Sequence, residues 1–295
     1  MDQRVRPKAE RLGGMKLCRL FSCVWSNSAS LRQLYYHVSK NHSLASFFLP
    51  DQLESIEIRG GLSKGAQMRL NLRHERSYFL GTHEPDVQYI LARVVKPGMT
   101  VYNVGAHLGF FALMLSRLVG PSGHTIAFEP NPEVHTRLTE NVALNRLENC
   151  IHVEGTALGD FDGPTGFSLS LSHSQGRFVD LPYVKSGPTI QVPCKRLDTY
   201  VEENKVIPDF ILMDVEHAEG RVLRGMARIL ENHKPIIVVE LHGEAAIKES
   251  WKEFQKHDYR VAKIPGMKIV QTLNELTYGH YLAAHSSYFR EHRKV

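Results

Sequence analysis

The 295-residue sequence has few cysteines and lacks both a long apolar run and an internal repeat. The cysteines are Cys18, Cys23, Cys150 and Cys194. They lack the close spacing of a zinc site or of a secreted disulfide framework, which favours reduced thiols in a cytoplasmic, reducing compartment. No stretch reaches the ~18 consecutive apolar residues of a membrane helix, which argues against stable membrane insertion.

The sequence also lacks a large excess of either charge. Its net charge is only +5, and no basic patch stands out in the central part of the chain. This argues against a nucleic-acid partner. Basic residues do gather in residues 1–30, together with Asp2 and Glu10. The pattern is typical of a basic, partly disordered leader, and an organelle-targeting segment is the alternative.

Residues 31–82 predict an N-terminal layer made of a helix and a β-hairpin. Apolar residues recur at helical spacing over residues 31–49. Residues 55–59 and 68–72 alternate as in strands, with Gly60-Gly61 between them. The remaining residues, 83–295, are predicted to form the main domain.

Strands and helices alternate through that main domain. The predicted strands are residues 100–104, 124–128, 150–154, 209–213, 236–239, 259–264 and 281–284. The predicted helices are residues 109–119, 131–145, 196–203, 218–231 and 244–257. Residues 160–188 are rich in Ser and Gly and predict a loop-rich insertion. Repeated strand–helix units with apolar strands indicate an α/β fold with a doubly wound, mostly parallel sheet, which binds ligands beyond the carboxyl ends of its strands.

A glycine turn follows the first of these strands. Gly105 and Gly109 separate strand 100–104 from an apolar helix, so the helix N-terminus and free backbone N–H groups face a ligand position. The next strand ends in Glu129, and an acid at that place can accept hydrogen bonds from both hydroxyls of a ribose. The two features in this order predict a nucleoside-containing cofactor, whereas plain packing explains either feature alone.

Acidic and imidazole side chains follow two further strands. Strand 209–213 is followed by Asp214, Glu216 and His217, and strand 236–239 by Glu240 and His242. Because parallel strands end at one edge of a sheet, these residues are expected to crowd the mouth of the cofactor site. The catalytic candidates are Asp214, Glu216 and His242, any of which could be a general base. The alternatives are helix capping and a metal site, although the sequence commits to no metal.

Five phrases in this order resemble the FkbM family of S-adenosylmethionine-dependent methyltransferases. They are Tyr-Asn-Val-Gly-Ala-His-Leu-Gly-Phe-Phe, Ala-Phe-Glu-Pro-Asn-Pro, Asn141-x-x-x-Asn145, Ala157-Leu158-Gly159-Asp160 and Asp214-Val215-Glu216-x-Ala218-Glu219. The resemblance implies a Rossmann-like class I methyltransferase fold, with a seven-stranded sheet that has one antiparallel strand. It also implies S-adenosyl-L-methionine as cofactor and O-methylation of a hydroxyl on a small molecule or glycan.

The resemblance further implies roles for individual residues. The cofactor-binding candidates are Glu84, Asn103, Gly105, Ala106, Gly109, Phe110, Glu129, Asn131, Ala157 and Asp214. Among them, Glu84 would face the amino-acid end, Ala157 the adenine and Asp214 the transferring methyl. The chain departs from the family at Asn103, where Asp is usual, and at His217, where Gly is common.

Other functions are compatible with parts of this pattern. A nicotinamide oxidoreductase is disfavoured by the Gly-x-x-x-Gly turn, which is not the dinucleotide fingerprint. A nucleic-acid methylase is disfavoured by the sequence Asp-Val-Glu-His after the fourth strand. A non-catalytic cofactor-binding protein remains an alternative because of Asn103. The sequence does not predict the methyl acceptor or the oligomeric state.

Overall fold

The computed structural model describes residues 51–169, 176–180 and 188–291. The leader predicted for residues 1–30 and the helix predicted for residues 31–49 lie outside these ranges. In chain order the strands are β1 (Glu54–Glu57), β2 (Gln67–Leu70), β3 (Thr100–Val104), β4 (His124–Phe128), β5 (Ile151–Glu154), β6 (Ala157–Leu158), β7 (Gly163–Leu169), β8 (Gly176–Phe178), β9 (Thr189–Lys195), β10 (Phe210–Met213), β11 (Ile236–Leu241), β12 (Tyr259–Lys263), β13 (Lys268–Ile269) and β14 (Gly279–His285). The helices are α1 (Arg76–Leu80), α2 (Pro85–Val94), α3 (Phe110–Val119), α4 (Pro132–Leu144), α5 (Leu197–Asn204), α6 (Glu219–Gly225), α7 (Ala227–Asn232), α8 (Gly243–Lys256) and α9 (Ser286–Glu291).

The main sheet has the strand order β13-β12-β14-β11-β10-β3-β4-β5. Strands β11, β10, β3, β4 and β5 pair in parallel, whereas β14 pairs antiparallel with both β11 and β12. The predicted doubly wound, mostly parallel sheet is therefore confirmed. The expected count of seven strands is corrected to eight in the described part of the chain, because the two-residue β13 adds an antiparallel edge strand beside β12.

The strands at the middle of this sheet are apolar because both of their faces are covered. All four residues of β10 are buried, and so are the last five of β11. Neighbouring residues of β3 belong to opposite faces: Val101 packs in one apolar core and Tyr102 in the other. This double burial accounts for the continuous apolar runs that predicted a parallel sheet.

The insertion predicted to be loop-rich contains a second sheet, with the order β6-β9-β7-β8. Strand β7 contains glycine, proline and serine, which have low strand propensity, so its sequence did not predict a strand. Pairing with β9 over six residue pairs supplies the hydrogen bonds that hold it extended. A Cβ on Gly176 would lie 2.0 Å from the Phe167 ring, so this glycine allows the two strands to meet.

The predicted hairpin is present as β1 and β2, which pair antiparallel. Its second strand ends at Leu70, two residues before the predicted end, and α1 follows from Arg76. Two side chains of α4 and its C-cap accept hydrogen bonds from the backbone of β2. The N–H groups of Gln67 and Arg69 donate to Asn145 Oδ1 at 2.9 Å and to Asn141 Oδ1 at 2.7 Å. Asn141 also donates to the carbonyl of Leu108 at 2.8 Å. The Asn-x-x-x-Asn phrase therefore joins the hairpin to the glycine turn.

The predicted helix 218–231 is two helices, α6 and α7, separated at Met226. A Cβ on Gly225 would lie 1.8 Å from the carbonyl oxygen of Gly159, so the chain passes very close to the second sheet at the break. No helix in the described ranges combines the length and the apolar character needed to cross a bilayer.

Candidate functional site

One large cavity opens at the edge of the main sheet where β3, β4, β10 and β11 end. Because β14 runs in the opposite direction, it begins at this same edge, with His280 beside Glu240. The chain order reverses between β3 and β10, which is where open α/β sheets bind their ligands. The volume is about 1040 Å³. This is large for a single small ligand, since such pockets span ~300–1,000 Å³.

The glycine turn forms the floor of the cavity, with Gly105, Ala106 and Phe110 among its lining residues. Gly105 has φ 81°, and a Cβ there would lie 1.7 Å from the carbonyl oxygen of Asp214. Its lack of a side chain thus lets β3 and β10 end close together. Gly109, a sequence candidate, is not among the lining residues. Its positive φ of 88° and a packed Leu138 side chain 2.4 Å from the Cβ position account for it structurally.

Asn103 lies at the end of β3 and lines the cavity. Its side chain is only 2% exposed, yet its Oδ1 atom has no hydrogen-bond partner among the described residues. Buried polar atoms are normally paired, so an unpaired one beside a cavity is a natural contact for a bound polar group.

Glu129 is 7% exposed and lies after β4. Its two carboxylate oxygens accept one backbone N–H each, from His107 at 3.0 Å and from Asn131 at 2.9 Å. Burial raises the pKa of Glu129 to about 7 in spite of these two donors. A carboxylate has about four acceptor positions, so two remain for a ribose. Asn131 also lines the cavity, but its side chain caps α4 by accepting the N–H of Glu133.

An apolar section of the cavity lies beside Ala157, which is 3% exposed. Leu158, Phe167 and Phe178 line the same section, and the two phenylalanines come from the second sheet. A planar, mostly apolar group such as a nucleobase suits these surroundings.

The polar side of the cavity gathers carboxylates and an imidazole from the ends of β10 and β11. His242 Nε2 lies 3.5 Å from Glu240 Oε2, 3.7 Å from Asp214 Oδ1 and 4.0 Å from Glu216 Oε2. The structure therefore brings together all three catalytic candidates, as strand ends predicted. Glu216 is also paired with Arg177 of β8 at 3.0 Å.

His242 is held from behind by Glu219, which is fully buried on α6. The Nδ1 atom of His242 lies 2.7 Å from Glu219 Oε1. Burial by itself lowers the pKa of His242, but the Glu219 hydrogen bond and the surrounding carboxylates raise it overall. Burial, followed by the charge of Glu240, raises the pKa of Asp214. Both groups therefore hold protons more strongly than usual in the free protein.

Glu84 lies across the cavity, between two imidazoles. Its oxygens are 3.2 Å from His83 Nε2 and 3.2 Å from His280 Nε2. Burial alone raises the pKa of Glu84, but its close contacts with these two imidazoles lower it to about 2. Its backbone has φ 45°, in the left-handed region just before Pro85. An ionised carboxylate here suits a cationic ligand group.

His217 does not line the cavity. Its Nδ1 donates to the carbonyl oxygen of His242 at 3.0 Å, so its imidazole packs against the backbone of the site and does not enter the cavity. The residue has φ 77°, which explains why the family commonly has Gly at this position.

Sequence analysis missed Glu219, His280 and Tyr278 as site residues. Tyr278 lies over His242, with ring centroids 5.4 Å apart. The implied antiparallel strand offered a signal, because residues that precede such a strand lie at the edge where parallel strands end. Glu219 stood in the fifth family phrase, but nothing in its spacing indicated a contact with His242.

The site's residues fit the expected cofactor. Glu129 has acceptor positions left for a ribose, the Ala157 section is apolar, and Glu84 and Asp214 offer carboxylates toward cationic groups. The orphaned Asn103 Oδ1 lies in the same cavity.

Comparison with known proteins gives matches in sequence and in structure. The hexuronic acid methyltransferase AglP of Haloferax volcanii is 28% identical over 167 residues, which are 54% of this chain and 62% of that protein. The protein-L-isoaspartate O-methyltransferase of Methanothrix thermoacetophila is 28% identical over 163 residues, 53% of this chain and 68% of that one. The structure of methyltransferase FkbM from Methylobacillus flagellatus has a TM-score of 0.43 and 14% identity, covering 72% of this chain and 60% of that chain. The chain thus spans about six-tenths of AglP.

The family comparison covers more than half of the chain. The model of the methyltransferase FkbM domain matches residues 103–261, from the end of β3 to β12. This range holds the glycine turn, Glu129 and the carboxylate–imidazole cluster. The chain belongs to the FkbM family of S-adenosylmethionine-dependent methyltransferases.

Proposed function

We propose that the protein transfers a methyl group from S-adenosyl-L-methionine to a hydroxyl oxygen of a small molecule or glycan. One observation carries the proposal. A single cavity joins a nucleoside-type site at Glu129 to a cluster of carboxylates and imidazoles at Asp214 and His242. A base and a donor site must share one space for such a reaction.

The residues have distinct roles in this proposal. Glu129 binds the ribose, the Ala157 section encloses the adenine, and Glu84 attracts the ammonium of the methionine part. When bound, the cofactor supplies an electrophilic methyl group on a sulfonium. Asp214 would hold the sulfonium end of the cofactor, where its carboxylate would oppose the positive charge.

The cluster then acts on the acceptor. Its hydroxyl proton passes to one of the three catalytic candidates, Asp214, Glu216 or His242. Alignment of donor and acceptor is expected to contribute more, up to ~7–11 kcal/mol, than a base at ~3–5 kcal/mol. The second sheet, whose Arg177 pairs with Glu216 of the cluster, is expected to select the acceptor.

A sugar hydroxyl is the favoured acceptor because AglP, a relative, is named for a hexuronic acid. We place the reaction in the cytoplasm, since Cys150 and Cys194 are free thiols.

Two measurements test the function. Calorimetry is expected to show binding of S-adenosylhomocysteine and little binding of NAD. Labelled S-adenosylmethionine is then offered with matched hexosides and hexuronides, and products are checked by mass spectrometry for one added methyl. The control is Glu129→Gln, which is expected to lose transfer through weaker cofactor binding. Tight NAD binding without binding of S-adenosylhomocysteine would favour an oxidoreductase. Cofactor binding without transfer to any of the offered acceptors would favour a binding protein.

A further inference from the structure

We propose that Asp214, Glu240 and His242 form a binding site for one divalent cation of the Mg²⁺ or Mn²⁺ type, which holds two oxygens of the methyl acceptor. The inference rests on the proposed methyl transfer and names the class of its acceptor. That class is a compound with adjacent oxygens, such as a vicinal diol or a hydroxy acid.

The spacing of the three ligands suits one ion. Their ligand atoms all lie within 4.8 Å of one another. The His242 nitrogen is 3.5 Å from Glu240 and 3.7 Å from Asp214. Ligands ~2.1 Å from a single ion are ~3.0 Å apart at right angles and ~4.2 Å apart across it. The two distances from His242 fall between these limits, and the 4.8 Å bound on all three lies slightly above the upper one, so bringing the ligands onto one ion requires small side-chain movements.

The imidazole is prepared as a ligand. His242 is 7% exposed, and within the described chain its Nε2 makes no hydrogen bond, although it is aimed at the converging carboxylates. Its Nδ1 is fixed by Glu219, which is 0% exposed. Metal-binding histidines characteristically donate their other ring N–H to such a carboxylate. The buried Asp214 Oδ1 likewise lacks a hydrogen-bond partner.

The charge of the cavity also calls for a cation. Its lining carries the carboxylates of Glu84, Asp214, Glu216 and Glu240. Among the described lining residues, Arg137 is the only lysine or arginine, and it is paired with Glu75 at 2.7 Å. An acceptor carboxylate or a deprotonating hydroxyl would meet these carboxylates here, and the imidazoles of His242 and His280 are the basic groups beside Glu240. A divalent ion between the protein carboxylates and the acceptor oxygens removes that repulsion.

A second set of possible ligands, Glu84, Glu240 and His280, shares Glu240. We assign the ion to the first set because Glu84 is needed for the cofactor ammonium. With His242 and Asp214 as ligands, Glu216 remains as the base. The ion lowers the pKa of the bound hydroxyl, whose proton passes to Glu216. The oxygen then forms the C–O bond while the donor C–S bond breaks, leaving S-adenosylhomocysteine.

The test uses Mn²⁺ as probe. The full chain is dialysed against chelator, and free Mn²⁺ is followed by electron paramagnetic resonance during titration, with and without S-adenosylhomocysteine. We expect one Mn²⁺ per chain. Glu240→Gln and Asp214→Asn are expected to weaken binding at least tenfold, and Glu219→Gln about 10- to 100-fold. The matched control is Glu253→Gln. Glu253 is a 5% exposed glutamate beside His257 that does not line the cavity, so Glu253→Gln should leave Mn²⁺ binding unchanged.

Each outcome decides the proposal. Absence of Mn²⁺ binding at millimolar concentration, or equal binding by wild type and both ligand variants, overturns it. Melting curves show whether each variant is folded, and the two ligand variants are read independently. Binding of S-adenosylhomocysteine without Mn²⁺ refutes the cation site and leaves the proposed methyl transfer standing. Binding of Mn²⁺ without the nucleoside refutes the proposed function instead.

Discussion

Glu129→Gln is expected to stabilise the free protein and, at the same pH, to weaken its binding of the cofactor. The wild-type carboxylate is 7% exposed, and its pKa is raised to about 7 by burial. Glutamine keeps the size and removes the charge. A residue that serves only structure would not show this opposition.

The stability part follows from the pKa. The pKa of about 7 in the folded protein exceeds the ordinary glutamate pKa of 4.5, so the folded state binds the proton more tightly. Wild-type stability is therefore lost as pH rises from 4.5 to 7, by up to ~3 kcal/mol at ~1.36 kcal/mol per pKa unit. Glutamine avoids this loss but can accept only one of the two backbone N–H groups, which costs ~1–2 kcal/mol. The net gain at pH 8 is ~1–2 kcal/mol, or a few degrees in Tm.

The affinity part follows from the ribose contacts. Hydrogen bonds to a charged acceptor contribute ~1.5–3 kcal/mol, so Glu129→Gln is expected to weaken S-adenosylhomocysteine binding about 10- to 150-fold at pH 8. Because the ionised form binds, wild-type affinity should rise about tenfold from pH 6 to pH 8. The variant should lose that part of the pH dependence.

Calorimetry at pH 6, 7 and 8 and thermal melts at pH 5 and 8 measure both effects. The stability gain should vanish at pH 5, where Glu129 is protonated in the folded protein. Glu253→Gln serves as a control for removing a buried glutamate elsewhere. Unchanged affinity in a folded variant, or a variant less stable than wild type at pH 8, would refute the assignment of Glu129.

Three further variants test the site. Asn103→Asp should lower the Tm of the free protein, because the new carboxylate has no hydrogen-bond donor. It should also tighten S-adenosylmethionine binding in calorimetry, and weaker binding by the folded variant would contradict this. Gly105→Ala should cost at least ~2 kcal/mol in urea unfolding, more than Gly65→Ala, which has a similar φ but open space around its Cβ position; equal losses would refute the clash with Asp214. Asn141→Leu should cost ~2–4 kcal/mol, because it leaves the Arg69 N–H and the Leu108 carbonyl unpaired; a loss under 1 kcal/mol would contradict that.

Much of the fold was readable because parallel strands are buried on both faces. β4 has the bounds predicted for it, residues 124–128, and the rule that parallel strands end at one edge placed Asp214, Glu216 and His242 together. The rule depends only on strand direction, so it needed no knowledge of side-chain contacts.

The missed features depend on tertiary contacts. β7 is held extended by β9 and not by its own residues. His280 reaches the cavity because β14 is antiparallel to β11. The direction of a strand cannot be read from a run of apolar residues. Glu219 looks like an ordinary first-turn acid of α6, and only the fold brings His242 to it.

Strain and charge gather at the same place in this molecule. Glu84, His107 and Glu216 all line the cavity and all have φ between 45° and 50°, which costs non-glycine residues ~1–2 kcal/mol each. The same wall buries carboxylates without enough basic partners. Both costs persist in the free protein, and cationic ligands relieve the electrostatic one. A site that is unfavourable by itself in this way binds positively charged groups more strongly than a relaxed one, because the ligand removes a repulsion as well as forming new contacts.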